Sequence, residues 1–376
     1  PSARETGDFN WGSTFWHELA HTFHLGMTEH RVPRWFSEGL AVYEERRARP
    51  GWGDDVTPGF LMAHLQDRLL PVGDLNNGFA RPAYPEQLIH SYYQASLVLE
   101  YIEGEAGSAA LVQMLAGYRE GLTTPEVFES VLGVDVDTFS ERFFRYLEER
   151  FAVPLAALRP QVSNDGPPSR EEIERRAHGD PGDFLAQLGY GHALFEDGRL
   201  DEAVAYLERS QALFPEYAGA GSPYWYLALI HKRQGRLERA AAELEALTAI
   251  NARDYEAHIE LAGILEVLGD TAGAASALER ALYINPFDKG LHMRLASHFA
   301  MLSAWDGVIR ERKAVLALDP ADRADALYQL ALAYFEAGDL ANARRTVLRA
   351  LEGAPGFERA QDLLLEIRAA GQETAQ

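Results

Sequence analysis

Two histidines four positions apart, with a glutamate beside the first, are the residues of this chain best suited to chemistry: His17-Glu18-Leu19-Ala20-His21. On a helix, residues four apart share one face, so His17 and His21 project side by side. Two imidazoles in that relation can hold one divalent metal, and Zn²⁺ accepts such nitrogen ligands at about 2.0–2.1 Å. Glu18 lies one step round the helix. It cannot share the metal symmetrically, but it can reach a water at an open position and act as its general base.

The positioning elements follow from the flanking residues. Asn10 to Ser13 can cap a helix, which is expected to run from Ser13 to Leu25 and to stop near Gly26. Phe15, Trp16, Leu19, Ala20 and Phe23 make it apolar nearly all round, so it is expected to be buried. A second helix opens at Arg34-Trp35-Phe36-Ser37-Glu38-Gly39-Leu40-Ala41. Glu38 sits there among Trp35, Phe36, Leu40 and Ala41, and a buried carboxylate requires a partner. The metal is the nearest candidate. His24 and His30 read as loop or rim histidines.

This pairing of H-E-x-x-H with Arg34 to Ala41 resembles the gluzincin metallopeptidases, particularly the bacterial peptidase MA-like proteins and, more distantly, the zinc aminopeptidases. The resemblance implies zinc held by His17, His21 and Glu38, with Glu18 as catalytic base. The metzincin pattern fails, since its third histidine falls on Met27 and its glycine on His24. Position 42 is Val where thermolysin-like members carry an acidic residue, which leaves open what orients the histidines. A helix over Pro85–Glu103, ending at Gly104, contains His90-Ser91-Tyr92-Tyr93. The resemblance places a tyrosine there that steadies the tetrahedral intermediate: Tyr92, or Tyr93 as the alternative. Leu88, Tyr92, Ala95, Leu99 and Ile102 also form a helical stripe, which fits Tyr92 as a core residue. Members of the family place a β-rich segment before the metal helix. The chain opens Pro1-Ser2-Ala3-Arg4 without Met, so a fragment or processed product lacking that segment is expected.

Further helices are expected at Phe60–Leu69, Ser108–Arg119, Pro125–Val131 and Val136–Phe151, the last closing a first domain over 1–161. Val162 to Ser169 reads as a linker, and 162–182 as linker plus a first helix. From 183 to 376 the chain repeats. Gly198, Gly235, Gly269, Ser303 and Gly338 open matched segments at spacings of 37, 34, 34 and 35 positions. Small residues recur where helices must cross, as Ala262, Ala274 and Ala281 in one unit and Ala331, Ala343 and Ala350 in another. That pattern is the tetratricopeptide signature, and five repeats plus a closing helix over Phe357–Ala370 are expected to stack as a solenoid. The fold class expected is all-α: a helical zincin-like metallopeptidase lobe followed by a tetratricopeptide (TPR) solenoid.

Composition narrows the partners. With 57 acidic against 35 basic residues the formal net charge is −22, which disfavours nucleic acid and anionic membrane surfaces. No Cys is present, so disulfides and thiolate sites are excluded. No run suffices to span a bilayer. A soluble protein is expected, with the compartment open and a periplasmic or secreted full-length form compatible. The expected function is a zinc-dependent peptidase. Three protein ligands leave a fourth position for water, zinc lowers its pKa towards about 7, and Glu18 takes the proton and returns it to the leaving amine. A peptide or protein substrate and a protein partner in the TPR groove follow. The alternative is a TPR adaptor whose zinc domain is structural or inactive.

Overall fold

The computed structural model describes residues 9–159 and 168–373, and no strand occurs among them. The linker expected at Val162–Ser169 falls largely on residues outside that description. Asn10–Asp254 form one compact unit, and Tyr255 onward belongs to a second.

In the first unit the lobe comprises α1 (Trp11–Met27), α2 (Arg34–Ala48), α3 (Pro58–Leu65), α4 (Leu75–Ala80), α5 (Gln87–Ala106), α6 (Ser108–Glu120), α7 (Thr124–Leu132), α8 (Val136–Arg150) and α9 (Ala152–Leu158). Then come α10 (Arg170–Gly179) and two helical pairs, α11 (Phe184–Glu196) with α12 (Leu200–Leu213) and α13 (Pro223–Arg233) with α14 (Leu237–Ile250). A continuous apolar core runs from Val32 in the lobe to Ile230 in the second pair.

The start of α1 follows its cap. The Asn10 side chain accepts from the Ser13 amide at 3.0 Å, satisfying one of the first-turn donors that no helical carbonyl can reach. Its burial contradicts the sequence expectation. Phe15 is 70 % exposed and Phe23 65 %, Trp16 and Met27 are exposed too, and only Ser13 and His24 are buried. The helix contributes polar groups to the interior and leaves its aromatic face outside.

The deeply buried helix is α2. Trp35, Phe36, Ala41 and Val42 are sealed from solvent, and the helix packs against both α1 and α5. Its approach to α5 is set by Gly39: a Cβ there would lie 2.8 Å from the Ala95 Cβ and 2.9 Å from the Ala95 carbonyl carbon. Two helices this close tolerate nothing larger than hydrogen at the crossing. On α5 that contact brings Tyr92, one turn away, towards Glu38. The helix runs past Gly104 to Ala106.

The second unit stacks α15 (Tyr255–Leu268) with α16 (Thr271–Leu282), α17 (Lys289–Met301) with α18 (Trp305–Ala317), and α19 (Arg323–Glu336) with α20 (Leu340–Gly353), followed by α21 (Glu358–Glu373). Gly269 and Gly338 hold φ near +78° and +79°, and Ser303 adopts the same left-handed conformation at φ 55°. A left-handed residue ends one helix and turns the chain back into its partner, so the degenerate copy keeps the geometry of the glycine copies. Ala262, Ala274, Ala281, Ala331, Ala343 and Ala350 are all fully buried at the crossings. The architecture is therefore all-α, with a TPR solenoid following the helical lobe.

Two expected outcomes follow. Gly39→Ala should lower stability by about 1–3 kcal/mol through overpacking against Ala95, read as a reduced denaturant midpoint; an unchanged midpoint would show the crossing to be loose. In the second unit His292 Nδ1 and Glu311 Oε2 are 2.6 Å apart and buried. Burial alone would lower the His292 pKa, but Glu311 overrides it and raises it; burial would raise that of Glu311, but His292 and Arg310 lower it. The carboxylate's contribution is present above its ordinary pKa of 4.5 and lost as the pH falls; that of His292 is full below 6.5 and lost as the pH rises through its folded value. Glu311→Gln should cost about 1–3 kcal/mol, most between about pH 4.5 and 6.5. A pH-independent difference in unfolding free energy counts against the pair.

Candidate metal centre

Helices α1 and α2 bring three donors together. His17 Nε2 and His21 Nε2 each lie 3.4 Å from the same oxygen of Glu38, Oε2. All three donor atoms fall within 4.8 Å of one another, in a group that could hold a metal ion. Tetrahedral zinc with bonds of about 2.0–2.2 Å separates neighbouring donors by about 3.3–3.5 Å. The two nitrogen–oxygen edges match that spacing, and two imidazoles with one carboxylate are a donor set zinc accepts.

Each histidine is oriented from behind. His17 Nδ1 lies 2.6 Å from Glu45 Oε1, and Glu45 also receives the Ser13 hydroxyl. His21 Nδ1 lies 2.7 Å from His24 Nε2 and 3.1 Å from the Ser37 hydroxyl, which is itself 2.9 Å from His24 Nε2. For each ligand Nε2 to present its lone pair, Nδ1 must carry the hydrogen. Glu45 accepts that hydrogen from His17, and His24 is the acceptor available to His21. Carboxylate backing of the kind Glu45 gives His17 fixes ring orientation in metal sites.

The electrostatics are those of a site holding itself together. Burial alone would lower the His17 pKa, but hydrogen bonds to Glu38 and Glu45 raise it to about 9. Burial would raise that of Glu38, yet His17, His21 and Arg34 hold it well below the carboxylate range. Burial, then the nearby charges of His21 and His17, push His24 down to about 4, so it stays neutral as the acceptor role requires.

The remaining candidates divide. Glu18 is exposed, and no hydrogen bond or ion pair is seen for it among the described residues. Tyr92 interacts with Arg34 and Glu38 and packs edge-on to Phe79 at 5.0 Å. Burial first, then the Glu38 charge, raise its hydroxyl pKa. Tyr93 points elsewhere: it is buried, edge-on to Phe60 at 4.9 Å and beneath the Arg46 guanidinium. His24, read as a rim histidine, is buried behind His21 instead, while His30 is exposed. From sequence alone Glu45 has no role and Ser13 only that of a helix start. A signal existed: Glu45 follows Glu38 by seven positions, two helical turns, and so shares its face. Glu45, one turn beyond Val42, is the acid that stands behind His17.

Residues 4–149 match the model of the Peptidase MA superfamily. Residues 170–218 and 227–289 match one tetratricopeptide repeat model, and 325–352 another. The chain thus carries a Peptidase MA superfamily domain followed by tetratricopeptide repeats. No curated protein matches it. Among solved structures it is similar to YrrB, a TPR protein with an unusual peptide-binding site (18 % identity, 52 % of this chain and 98 % of that one, TM-score 0.37). It is also similar to a thermophilic TPR protein of Thermus thermophilus (25 %, 50 % and 98 %, TM-score 0.26). A third is MamA from Desulfovibrio magneticus RS-1 (16 %, 48 % and 97 %, TM-score 0.31).

Glu45→Gln keeps size and removes the charge that His17 donates to. Zinc affinity should fall about 10-fold or more, measured by competition with a chromophoric chelator. Affinity equal to wild type would remove Glu45 from the centre.

Proposed function

We propose that this protein is a zinc-dependent peptidase of gluzincin type whose repeats bind the substrate or a protein partner. The observation that carries the reading is the convergence of His17 Nε2 and His21 Nε2 on one oxygen of Glu38. Its support is strengthened by the Peptidase MA match over 4–149 and by the backing of both imidazoles.

In this reading His17, His21 and Glu38 hold the metal. When bound, zinc supplies Lewis acidity, enough to make water a competent nucleophile near neutral pH. Glu18, on the exposed side of α1, takes the proton on its carboxylate and returns it to the departing amine nitrogen. Tyr92, anchored by Arg34, presents a hydroxyl hydrogen to the oxygen that becomes negative as the peptide carbonyl turns tetrahedral. Phe15 and Trp16 lie exposed next to Glu18 on the same helix, an apolar surface for a peptide chain to rest on. The repeats imply protein–protein interaction, and no helix of the described residues is long and apolar enough to cross a membrane.

Glu18→Gln should abolish cleavage of a generic fluorogenic peptide while leaving bound zinc unchanged; full turnover in that variant would falsify the assignment of the base. Chelation should stop cleavage in the wild type without loss of helical circular dichroism, because His17 and Glu38 still pair as opposite charges without metal. Activity that survives complete zinc removal would sink the metallopeptidase reading.

A further inference from the structure

The metal helix is held at its first turn by a segment of the repeat region. The loop after α14, residues 251–253, meets the lobe at three points. The Asn10 side-chain amide donates to the Ala252 carbonyl at 3.1 Å, and the Ala252 amide donates to the Gly51 carbonyl at 3.0 Å. Arg253 sits between two carboxylates of the lobe, 3.8 Å from Asp54 and 3.5 Å from Asp55. The loop is braced in turn: Asn251 donates to the Ala218 carbonyl and accepts from the Arg253 amide.

The fit at the middle point is close. Gly51 has φ +77°, and a Cβ on it would fall 2.7 Å from the Ala252 nitrogen. Asn10 and Ala252 are both buried. Two such backbone-directed bonds, shut away from water, fix position rather than merely proximity.

Asn10 then passes that position to the metal centre. One end of its amide caps α1 through the Ser13 amide, and the other end grips Ala252. Ser13 donates its hydroxyl to Glu45 and receives the Gly53 amide at 3.4 Å. Glu45 orients His17. The path from the repeat loop to a candidate ligand is therefore a run of directional hydrogen bonds with no solvent-exposed link.

We propose that the 251–253 loop is a clamp on the metal helix, with Asn10 and Arg253 as positioning residues, so that the repeat region completes the geometry of the metal centre. The proposal rests on the reading of His17 as a metal ligand. It implies that a protein bound to the repeats can alter metal affinity and turnover by shifting this loop, with no contact to the site itself.

Asn10→Ser tests the clamp, because serine keeps a capping oxygen but is too short to reach Ala252. In the full-length, metal-free protein the amides of residues 14–18 should exchange about 10-fold faster than in wild type, with α5 unchanged. Arg253→Ala should do the same, and Arg253→Lys, which restores a cation between Asp54 and Asp55, should recover most of the protection. In zinc titrations both Asn10→Ser and Arg253→Ala should bind about 10-fold more weakly. Wild-type exchange at 14–18 in both variants overturns the clamp, as does acceleration spread equally over α1, α5 and α8, which marks general destabilisation. The zinc stoichiometry of the wild type tests the metal reading separately, since exchange is read without metal.

Discussion

A carboxylate placed on the most deeply buried helix of the lobe is the constraint around which this site is arranged. Glu38 follows the buried Trp35, Phe36 and Ser37 to the edge of the interior, where it is half-buried and an unpaired charge would still be costly. The His17 imidazole and the Arg34 guanidinium supply the opposite charge, and His21 Nε2 closes on the same oxygen. The helix crossing follows from that requirement together with Gly39. Without a side chain at the next position, α2 can press against Ala95 and bring α5 into reach of the same carboxylate. The short motif Glu38-Gly39 is thus two devices in sequence, a candidate donor and the space that lets the opposite wall approach it.

The histidines illustrate how far orientation depends on groups behind the ring. His17 is backed by an acid and His21 by a neutral imidazole and a hydroxyl, so the two candidate donors sit in unlike surroundings. Glu38 and Glu45 together raise the His17 pKa against its burial, and burial, then His21 and His17, lower that of His24. That asymmetry gives the site an internal ion pair, Glu38 with His17.

The aromatic residues of α1 show the limit of reading burial from composition. Phe15, Trp16 and Phe23 suggested an enclosed helix, yet their face is open while Ser13 and His24 are enclosed. Helical periodicity says which residues share a face, but when a helix is apolar nearly all round it does not say which face meets the core. The core here is supplied by α2 and α5, and they require polar groups from α1 because Glu38 and Glu45 lie on the facing side.

The sequence by itself determined most of the helices and the three candidate donors. The short helices α4 and α9 were not legible in it, and α3 is shifted towards the N-terminus of the expected Phe60–Leu69. H-E-x-x-H, the Glu38 context and the periodic Gly and Ala positions depend on spacing within one helix or one repeat, and local geometry translates spacing directly into position. The repeat pairs and their buried alanines were legible for the same reason. Tertiary structure alone decided which groups stand behind the donors. Glu45 backs His17, His24 backs His21, Tyr92 rather than Tyr93 faces Glu38, and Ala252 meets Asn10 across 242 positions of chain. Each of those choices depends on how one helix is rotated against another. Rotation is set by the whole core at once, through close contacts such as Gly39 on Ala95, and no local pattern encodes it.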